Sequence, residues 1–375
     1  IKIMFLKNLY KYLKINILLK FIYCFILFFL FIYEKITTKL VRFNMVRSER
    51  IGHFIIEMEL YLSDPEKQSN DLFFYNKPYC NEFLYKNYST LKKNIYFIKW
   101  LYQIIFFFDR NSRYLVPRYT HSGNKFFYKN KPYINFSSKK LDQILFNKGI
   151  NVEKFICFFQ RDETYSKTNP NLLGYNRNDI RNTDPTIYIK TINHFINKGY
   201  TIVRTGPKIS SSKLLVDEKY FEISEFYDSE LEIYLFKKCK FIICSNSGAL
   251  SIGWTFKKFI ANSNSVTLIG KIPGFNNMNL MPKIVKDTTK DKFLNLDDLL
   301  RIKILYDEKY QFFSNSEDLI LDQALELENL FLNNDYSLEQ KKINNEVKKV
   351  FAKNNVLLPQ YYISESFINK YPHFL

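Results

Sequence analysis

Glycine and proline are scarce in this 375-residue chain, which has only ten glycines and eleven prolines. This composition leaves little room for long linkers and excludes a collagen-like or wholly disordered chain. Cysteine is also sparse and odd in number, at five, and Cys157, Cys239 and Cys244 lie in or beside apolar runs. Their placement predicts free buried thiols in a reducing compartment and argues against a disulfide framework.

Several binding motifs are absent. The chain has no G-x-G-x-x-G and no G-x-x-x-x-G-K-[ST], so neither the usual dinucleotide site nor a P-loop is expected. It has no C-x-x-C and no H-x-x-x-H among its four histidines, which gives a zinc site little support. No Asp-x-Asp occurs either, which weakens a metal-dependent sugar-nucleotide site. We therefore predict a site with no metal ligands and no bound cofactor.

The 37 acidic residues are outnumbered by 55 lysines and arginines, and the net charge is +18 at pH 7. Lysine, asparagine, isoleucine, phenylalanine and tyrosine are all abundant, which is typical of AT-rich coding, so part of this charge is compositional background. Residues 1–50 nevertheless hold ten basic residues against two acidic ones. A basic terminus beside apolar residues favours anionic lipid, whereas nucleic acid requires a basic stripe on the folded body. We predict no nucleic-acid partner.

Residues 15–33, INILLKFIYCFILFFLFIY, form the main apolar segment. As a helix, the segment would be about 28 Å long, close to the ~30 Å hydrocarbon core of a bilayer. Lys20 could snorkel to the interface, and no small-residue cleavage site follows, which weakens a signal-peptide interpretation. The segment predicts membrane attachment, either as one span or as an interfacial helix. The alternative is a buried helix packed on the rest of the protein.

After Lys35, strand-like runs alternate with helical ones, which predicts an α/β fold with a parallel sheet covered on both faces. We divide the chain into a hydrophobic helix (1–39), an N-terminal domain (40–149), a C-terminal domain (150–310) and C-terminal helices (311–375). Strands are predicted at 40–43, 72–75, 155–160, 200–203, 220–224, 241–244 and 265–270. Helices are predicted at 53–62, 80–93, 137–149, 185–198, 211–218, 230–239, 248–259, 316–333 and 337–353. Ser229 to Glu232 has the pattern of a capping box.

Candidate ligand-binding residues follow three of these strands. Arg161-Asp162-Glu163 follows FICFFQ, Arg204-Thr205-Gly206 follows YTIV, and Asn246-Ser247-Gly248 lies between FIIC and a helix. Ligands of open α/β sheets bind beyond the carboxyl ends of the strands, so these residues are expected to converge. Guanidinium groups and a helix N-terminus suit a phosphate or a diphosphate. Alternatively, each arginine pairs with Asp162, Asp228 or Glu232, and residues 246–248 form an ordinary turn.

The N-terminal half offers one comparable group, Arg50-Ile51-Gly52-His53, in the loop before a helix. Gly52 would permit close backbone approach, and His53 could act as a general base on a hydroxyl. A helix cap or an ordinary surface histidine is the alternative for His53.

Three blocks of the chain resemble a family of bacterial glycosyltransferases from surface-polysaccharide loci. They are LVRFNMVRSERIGHFIIEMELYL (40–62), the segment 155–206 with FFQRDETY and RNTDPTIYIKTINHFINKGYTIVRTG, and ELEIYLFKKCKFIICSNSG (230–248). Together they fall within residues 40–290. The family's pattern is similar to inverting, metal-independent transferases of the GT-B type, in which two Rossmann-like domains face a cleft. Thr205 stands where the family has methionine.

The resemblance implies roles for individual residues. Arg161, Arg204, Gly206, Asn246, Ser247 and Gly248 would hold the donor diphosphate, and Glu232 matches an acidic position of the family. Arg50, Gly52 and His53 would lie on the acceptor side. The base would be His53 or Asp162, with Glu163 as a third candidate.

The resemblance also implies the substrates and the location. The donor would be a nucleotide sugar, the acceptor a glycan or a lipid-linked glycan, and the location the cytoplasmic face of the inner membrane. A GT-B-like sugar-nucleotide epimerase and a non-enzymatic membrane or nucleic-acid binding protein are the alternatives.

Overall fold

The computed structural model describes residues 2–91, 95–117, 131–161, 179–206, 213–266, 268, 277–302, 307–359 and 361–375. The chain divides into two compact units, Ile1–Tyr119 and Thr120–Leu375. The first unit contains α1 (Lys2–Thr37), β1 (Phe43–Val46), α2 (Ile51–Ser63), β2 (Leu72–Tyr75), α3 (Glu82–Leu91) and α4 (Ile98–Phe108).

The second unit contains strands β3 to β12 and the remaining helices. Its strands are β3 (Phe155–Phe159), β4 (Thr201–Arg204), β5 (Tyr220–Glu222), β6 (Phe241–Ser245), β7 (Phe259–Ser265), β8 (Met278–Pro282), β9 (Ile284–Asp287), β10 (Lys292–Phe293), β11 (Tyr310–Phe313) and β12 (Tyr362–Ile363). Its helices are α5 (Ser138–Asn147), α6 (Ile189–Asn197), α7 (Ser229–Lys238), α8 (Leu250–Thr255), α9 (Leu296–Arg301), α10 (Glu317–Asn333), α11 (Leu338–Lys353) and α12 (Glu365–Lys370).

The division between the units precedes the boundary at 150 that the sequence suggested. Helix α5 belongs to the second unit, where the hydroxyl of Tyr234 on α7 donates to Asp142 Oδ1 over 2.8 Å. The C-terminal helices also belong to this unit, because α10 packs against β7 and β8. Residues after 310 are therefore part of the same body as the large sheet.

In the first unit, β1 and β2 are parallel neighbours, with Phe43 opposite Leu72. The sequence predicted a strand at 40–43, but strand pairing begins at Phe43. Leu40 and Val41 pack instead on the apolar cluster beneath α1 and α4. A buried bidentate ion pair precedes the two strands, with Arg42 Nε and Nη2 donating to Asp71 over 2.8 and 2.7 Å. Since the described part of this unit has only these two paired strands, a Rossmann-like first domain stays a prediction.

Helix α1 lies on its own unit along one face. Tyr23, Ile26, Leu27 and Leu30 recur at helical spacing and pack on a cluster that includes Ile105 of α4. The Tyr23 ring stacks on Phe108 with centroids 5.0 Å apart. The segment Ile17–Thr37 has the length and hydropathy of a membrane span, and none of it is fully buried.

The second unit is built on a seven-stranded sheet, so the α/β prediction is confirmed. Its order is β12-β8-β7-β6-β3-β4-β5, and every neighbouring pair is parallel. The chain passes from β3 to β4 and β5 on one side, then returns to place β6 on the other side of β3. The strand order therefore reverses between β3 and β6, which makes this a topological switch point.

The helix boundaries follow local sequence signals with one exception. Gly149 and Gly199 follow α5 and α6 with φ of +78° and +82°, in the left-handed region where glycine is favoured. Asp184 caps the short 3₁₀ turn that leads into α6. For α7 the predicted Ser229 capping box is wrong, because Asp228 is the N-cap and its Oδ1 accepts from the amides of Glu230 and Leu231.

The region after β6 differs most from the prediction. Helix α8 ends at Thr255, whereas the sequence predicted a helix over 248–259. Lys257 then takes a left-handed φ of +54° before β7 begins. The sequence predicted a strand at 265–270, whereas β7 occupies Phe259–Ser265. Val266 and Leu268 are not in a strand, and residues 267, 269 and 270 lie outside the described residues. The polar residues Asn262, Ser263 and Asn264 of β7 concealed the strand in the sequence. No helix forms over 213–218, the described part of the predicted helix at 211–218.

Free buried thiols are confirmed. None of the five cysteines, all of which lie within the described residues, forms a disulfide bond, and Cys157, Cys239 and Cys244 lie in the core.

Candidate functional site

The carboxyl ends of β6, β3 and β4 lie side by side. Phe158 pairs with Ile243 on one side and with Arg204 on the other, in parallel register. The residues that follow these strands therefore share one edge of the sheet, as the sequence predicted. This edge also contains the switch point between β3 and β6, where open α/β sheets bind their ligands.

A short segment before α6 crosses these strand ends. The Thr183 amide donates to the Arg161 carbonyl over 2.9 Å, and Arg181 Nη2 donates to Asn246 Oδ1 over 3.1 Å. The Arg161 amide in turn donates to Ser245 Oγ, 2.8 Å away. The segment thus joins the residues after β3 to the residue after β6. The sequence analysis assigned Arg181 no role.

Arg204 has a partner that the sequence analysis did not consider. Its Nη1 donates to Oε1 of Glu222 on the adjacent β5 over 3.0 Å, and both side chains are only 6% exposed. The hydroxyl of Tyr220 donates to the same carboxylate oxygen over 3.2 Å, and burial raises the pKa of that phenol. The charge of Arg204 is therefore neutralised inside the protein. Its other terminal nitrogen, Nη2, is buried and has no hydrogen-bond partner within the described part of the chain.

Further buried polar groups at this edge have no hydrogen-bond partner among the residues that the structure describes. They are both amide atoms of Gln160 and the hydroxyls of Thr183 and Thr205. All three residues are at most 9% exposed. Buried polar groups in native proteins are nearly always satisfied, so a concentration of unsatisfied ones beside a switch point indicates a ligand or ordered water.

The sequence predicted that Asn246, Ser247 and Gly248 lead into a helix whose N-terminus binds an anion, and the structure differs from this prediction. Asn246 is buried, and its Nδ2 donates to Ser265 Oγ of β7 over 3.0 Å. Ser247 and Gly248 are more exposed and precede the six-residue α8. Asn246 therefore belongs to the polar network at the sheet edge. Because α8 has only six residues, its helix dipole contributes little to binding an anion. At the end of β4, Gly206 has a φ of +104° and open space where a Cβ would point.

Glu232 and Asp162 complete the second-unit predictions. Glu232 lies in the first turn of α7, is 9% exposed, and accepts a hydrogen bond from the Tyr227 hydroxyl over 3.1 Å. Asp162 and Glu163 lie outside the described residues. Their predicted role as base stays a prediction.

In the first unit, Arg50, Gly52 and His53 stand at the start of α2, and Gly52 is buried. His53 Nδ1 lies 3.3 Å from Glu57 Oε1, one helical turn later. Arg47 Nε donates to the same oxygen over 2.9 Å. Burial alone would raise the pKa of Glu57, but the hydrogen bond with His53 and the charge of Arg47 outweigh it and lower the pKa.

The Glu57 carboxylate can therefore orient the His53 ring, which is how a general base is usually held. Glu57 was missed by the sequence analysis, although its spacing of four residues from His53 on a helix was a usable signal.

Metal-ligand clusters were not expected. Among the described residues, no group of three or more His, Cys, Asp or Glu side chains is arranged to hold a metal ion.

No family model matches the chain, and no curated protein matches it. Among solved structures, it is similar to a glycosyl transferase family 9 protein from Veillonella parvula DSM 2008, at 11% identity and a TM-score of 0.49, over 78% of this chain and 97% of that one. It is also similar to the ADP-heptose lps heptosyltransferase II of E. coli, at 9% identity and a TM-score of 0.44, over 78% of this chain and 99% of that one. Identities this low and TM-scores below 0.5 leave the function to be argued from the chain's own residues.

Proposed function

We propose that this protein is a glycosyltransferase that takes its sugar from a nucleotide-sugar donor and binds the donor diphosphate at the carboxyl edge of β6, β3 and β4. The observation that carries the proposal is the group of unsatisfied buried donors and acceptors at the switch point, beside Arg161 and Arg181. A diphosphate offers many acceptor oxygens and two negative charges, which guanidinium forks and buried hydroxyls can bind.

The proposed chemistry needs charge stabilisation at the leaving group. When the glycosidic bond to the nucleoside diphosphate breaks, negative charge develops on the phosphate oxygens. Fixed cationic donors at the site would lower the barrier by binding that charge without reorganising. A base would remove the acceptor proton, and His53, oriented by Glu57, is our first candidate. We propose that transfer is inverting and does not require a metal, so activity should persist in EDTA.

The decisive experiment is a thermal-shift screen of the full chain with UDP, GDP, ADP and CMP. A nucleotide that binds only the native state raises Tm. We expect one of them to do so, and we expect Arg181→Met to weaken its binding at least tenfold, as one lost charge-assisted contact of ~1.5–3 kcal/mol would. Arg301→Met is the matched control, because Arg301 is an exposed arginine of the same unit that pairs with Asp297.

A wild-type protein that none of the four nucleotides stabilises would contradict the proposal. Incubation with nucleotide sugars in the absence of an acceptor separates the transferase from the epimerase, because only an epimerase would isomerise the donor.

We further propose that the acceptor is a surface-polysaccharide intermediate, glycan or lipid-linked, reached at the cytoplasmic face of the membrane. Helix α1 supports membrane attachment, since Phe21, Phe25 and Phe28 on its open faces are more than half exposed. Its opposite face packs on its own unit. A helix that spans a bilayer alone has lipid on every side, so this packing favours an interfacial helix.

The surface around α4 supports the same mode of binding. Tyr96, Phe97, Trp100 and Phe107 are exposed on or beside this helix, which packs against α1. Aromatic side chains of this kind are enriched at membrane interfaces. We propose that α1 and α4 enter one leaflet together.

Fluorescence of Trp100 can show whether α4 enters the membrane, because the chain has only one other tryptophan, Trp254, which can be replaced. In a Trp254→Phe variant, brominated lipids in vesicles should quench Trp100 fluorescence. Vesicle binding without quenching would show that α1 attaches alone and that α4 stays in water.

A further inference from the structure

The first turn of α4 and the residues just before it form an open aromatic hollow in the first unit. The hollow has a volume of about 400 Å³ and is lined by Tyr96, Phe97, Lys99, Trp100 and Gln103. Tyr96 is 76% exposed and Phe97 is 64% exposed. Exposed apolar side chains that are grouped together mark an interaction surface, whereas scattered ones need no explanation.

The hollow is fixed to the carboxyl half of β2. The Ile95 amide donates to the Phe73 carbonyl over 3.0 Å, and the Tyr96 ring packs edge-on against Phe74 with centroids 5.4 Å apart. The Lys99 ammonium lies over the same Phe74 ring, 5.4 Å from its centroid. Lys99 therefore places a positive charge at the border of the aromatic surface, where a cation is stabilised by the ring.

The hollow shares an edge of the sheet with the candidate base. Because β1 and β2 are parallel, the loop after β1, which leads to Arg50 and His53, also leaves from the carboxyl edge. Two hydrogen bonds join the loops that follow the two strands. Ser48 Oγ donates to the Asn76 carbonyl over 2.5 Å, and the Cys80 amide donates to the Ser48 carbonyl over 2.9 Å.

The hollow and the candidate base lie on opposite faces of this sheet. Tyr96 contacts Phe74, whereas Phe54 of α2 contacts Tyr75, with ring centroids 6.0 Å apart. Neighbouring residues of a strand point to opposite faces. A molecule that reaches from the hollow to His53 must therefore pass over the carboxyl edge, which suits a long ligand with a head group at one end.

The chemistry of the hollow fits a lipid that ends in a phosphate. A mostly apolar lining with a single placed charge is typical of ligand sites, and a lysine ammonium binds phosphate as a point charge. The hollow also continues the exposed aromatic surface, including Phe107, through which we propose that α4 enters the leaflet. A lipid can therefore reach it from the membrane without crossing water.

We infer that the acceptor is a lipid-linked sugar whose hydrocarbon tail lies in the hollow, whose phosphate binds Lys99 and whose sugar passes over the carboxyl edge to His53. This inference rests on the proposed function and chooses the lipid-linked acceptor over the free glycan. It also gives the hollow a substrate, and not bulk membrane lipid, as its occupant.

The test uses a photoreactive probe, hexadecyl phosphate with a diazirine in its alkyl group, and the full chain bound to phosphatidylcholine vesicles. A phosphatidylcholine that carries the same diazirine measures contact with bulk lipid. Labelled peptides are identified by mass spectrometry, and labelling is normalised to the protein that sediments with the vesicles. We expect the phosphate probe to label residues 95–103 and unlabelled hexadecyl phosphate to displace it.

Substitution of Lys99 tests the phosphate contact. We expect Lys99→Gln to keep the Tm of the wild type and to weaken labelling by the phosphate probe about fivefold, as the loss of one cation near an anionic group would. Lys99→Arg, which keeps the charge, should be labelled as the wild type is. Arg110→Gln is the matched control, since Arg110 follows the other end of α4 and its guanidinium lies 5.4 Å from the centroid of the Phe106 ring.

Three results would overturn the inference. Unchanged labelling of Lys99→Gln would show that the charge is dispensable. Labelling that both probes share and that hexadecyl phosphate does not displace would show that the hollow holds bulk lipid. Equally effective displacement by phosphatidylglycerol would show that the hollow binds any anionic lipid.

The two proposals fail in different ways. Transfer from a nucleotide sugar to a product that stays in water and never partitions into butanol removes the inference and leaves the transferase intact. Labelling that depends on Lys99, in a protein that no nucleotide stabilises, supports the lipid-phosphate site and removes the transferase.

Discussion

At the scale of single residues, the arginines of the candidate site fall into two kinds. The backbone amide of Arg161 donates to Ser245 and the guanidinium of Arg181 donates to Asn246, and both residues are only partly buried. Arg204 is buried in an ion pair with Glu222. The first kind is suited to ligand binding, whereas Arg204 first holds β4 against β5 and offers a ligand only its Nη2 atom.

Substitution should separate these two kinds. We expect Arg161→Ala and Arg181→Ala to keep the fold and to lower turnover at least tenfold, as the loss of one charge-assisted contact would. Arg204→Ala should lower the free energy of unfolding by about 3–5 kcal/mol, because it leaves Glu222 buried and uncompensated. Turnover assays and urea unfolding measure the two effects.

The double variant Arg204→Met, Glu222→Leu is the control, since replacing a whole buried pair by apolar residues is often neutral. If the double variant recovers stability but not turnover, Arg204 contacts the donor as well. Wild-type stability of Arg204→Ala would contradict the assignment of a structural ion pair.

The pair formed by His53 and Glu57 makes a second prediction at this scale. The pKa of Glu57 is lowered in the folded state, so its carboxylate adds stability that is present above its unfolded pKa and lost as pH falls through its folded pKa. Glu57→Gln should lower the free energy of unfolding by about 1–3 kcal/mol at pH 7, and the gap should close below about pH 4.

Turnover distinguishes a catalytic pair from a merely structural one. A base that depends on Glu57 for its orientation predicts that Glu57→Gln lowers kcat and shifts its pH profile, whereas His53→Ala abolishes most activity. Full activity in His53→Ala would leave Asp162 or Glu163 as the base.

At the scale of elements, β7 is the strand that the sequence concealed. Several of its polar side chains form hydrogen bonds within the core, where Ser263 Oγ donates to the Cys244 carbonyl over 3.1 Å. Asn264 Oδ1 accepts from the Asn315 amide over 2.7 Å, and Asn315 Oδ1 accepts from the Asn264 amide over 3.2 Å. This reciprocal pair fixes the end of β7 to the residue before the N-cap of α10.

The reciprocal pair can be tested with two variants. Asn264→Ala should lower the free energy of unfolding by about 2–4 kcal/mol, since the Asn315 amide loses its acceptor and alanine must take the left-handed φ of +53°. Asn264→Gly should cost less, because glycine tolerates that backbone. Equal unfolding midpoints for the two variants in urea would show that backbone strain has no part in the loss.

At the scale of the whole molecule, the net charge of +18 is spread over both units, and α1 adds an apolar surface to it. The combination favours membranes that contain anionic lipid. We expect the full chain to bind vesicles with phosphatidylglycerol more tightly than neutral vesicles, with a preference that weakens as salt is raised. Equal sedimentation with both vesicles at low salt would show that charge has no part in attachment.

The nucleic-acid alternative is tested in parallel. Duplex DNA at the same ionic strength should compete poorly with the anionic vesicles. Tight binding of DNA with a steep salt dependence would favour the non-enzymatic alternative.

The sequence by itself determined most of the secondary structure and the α/β class. Apolar strands such as FICFFQ and FIIC, helix-ending glycines and the Asp184-Pro185 start are local signals, and the structure contains the elements they predict. Local signals failed where buried polar groups bond to partners that are distant in the chain. Polar β7 was concealed because the partners of its side chains lie on other elements, and the partner of Arg204 could not be foreseen because Glu222 reaches it only through the pairing of β4 with β5.

Only the tertiary structure decided which residues share the candidate site. Strand order places β6 beside β3, and that order depends on which apolar faces pack together, which no local pattern encodes. The same order brings Arg181 to Asn246, although the two residues are distant in the chain. A sequence fixes the chemical groups that a protein can use, whereas the packing of its sheet decides which of them meet and which neutralise one another.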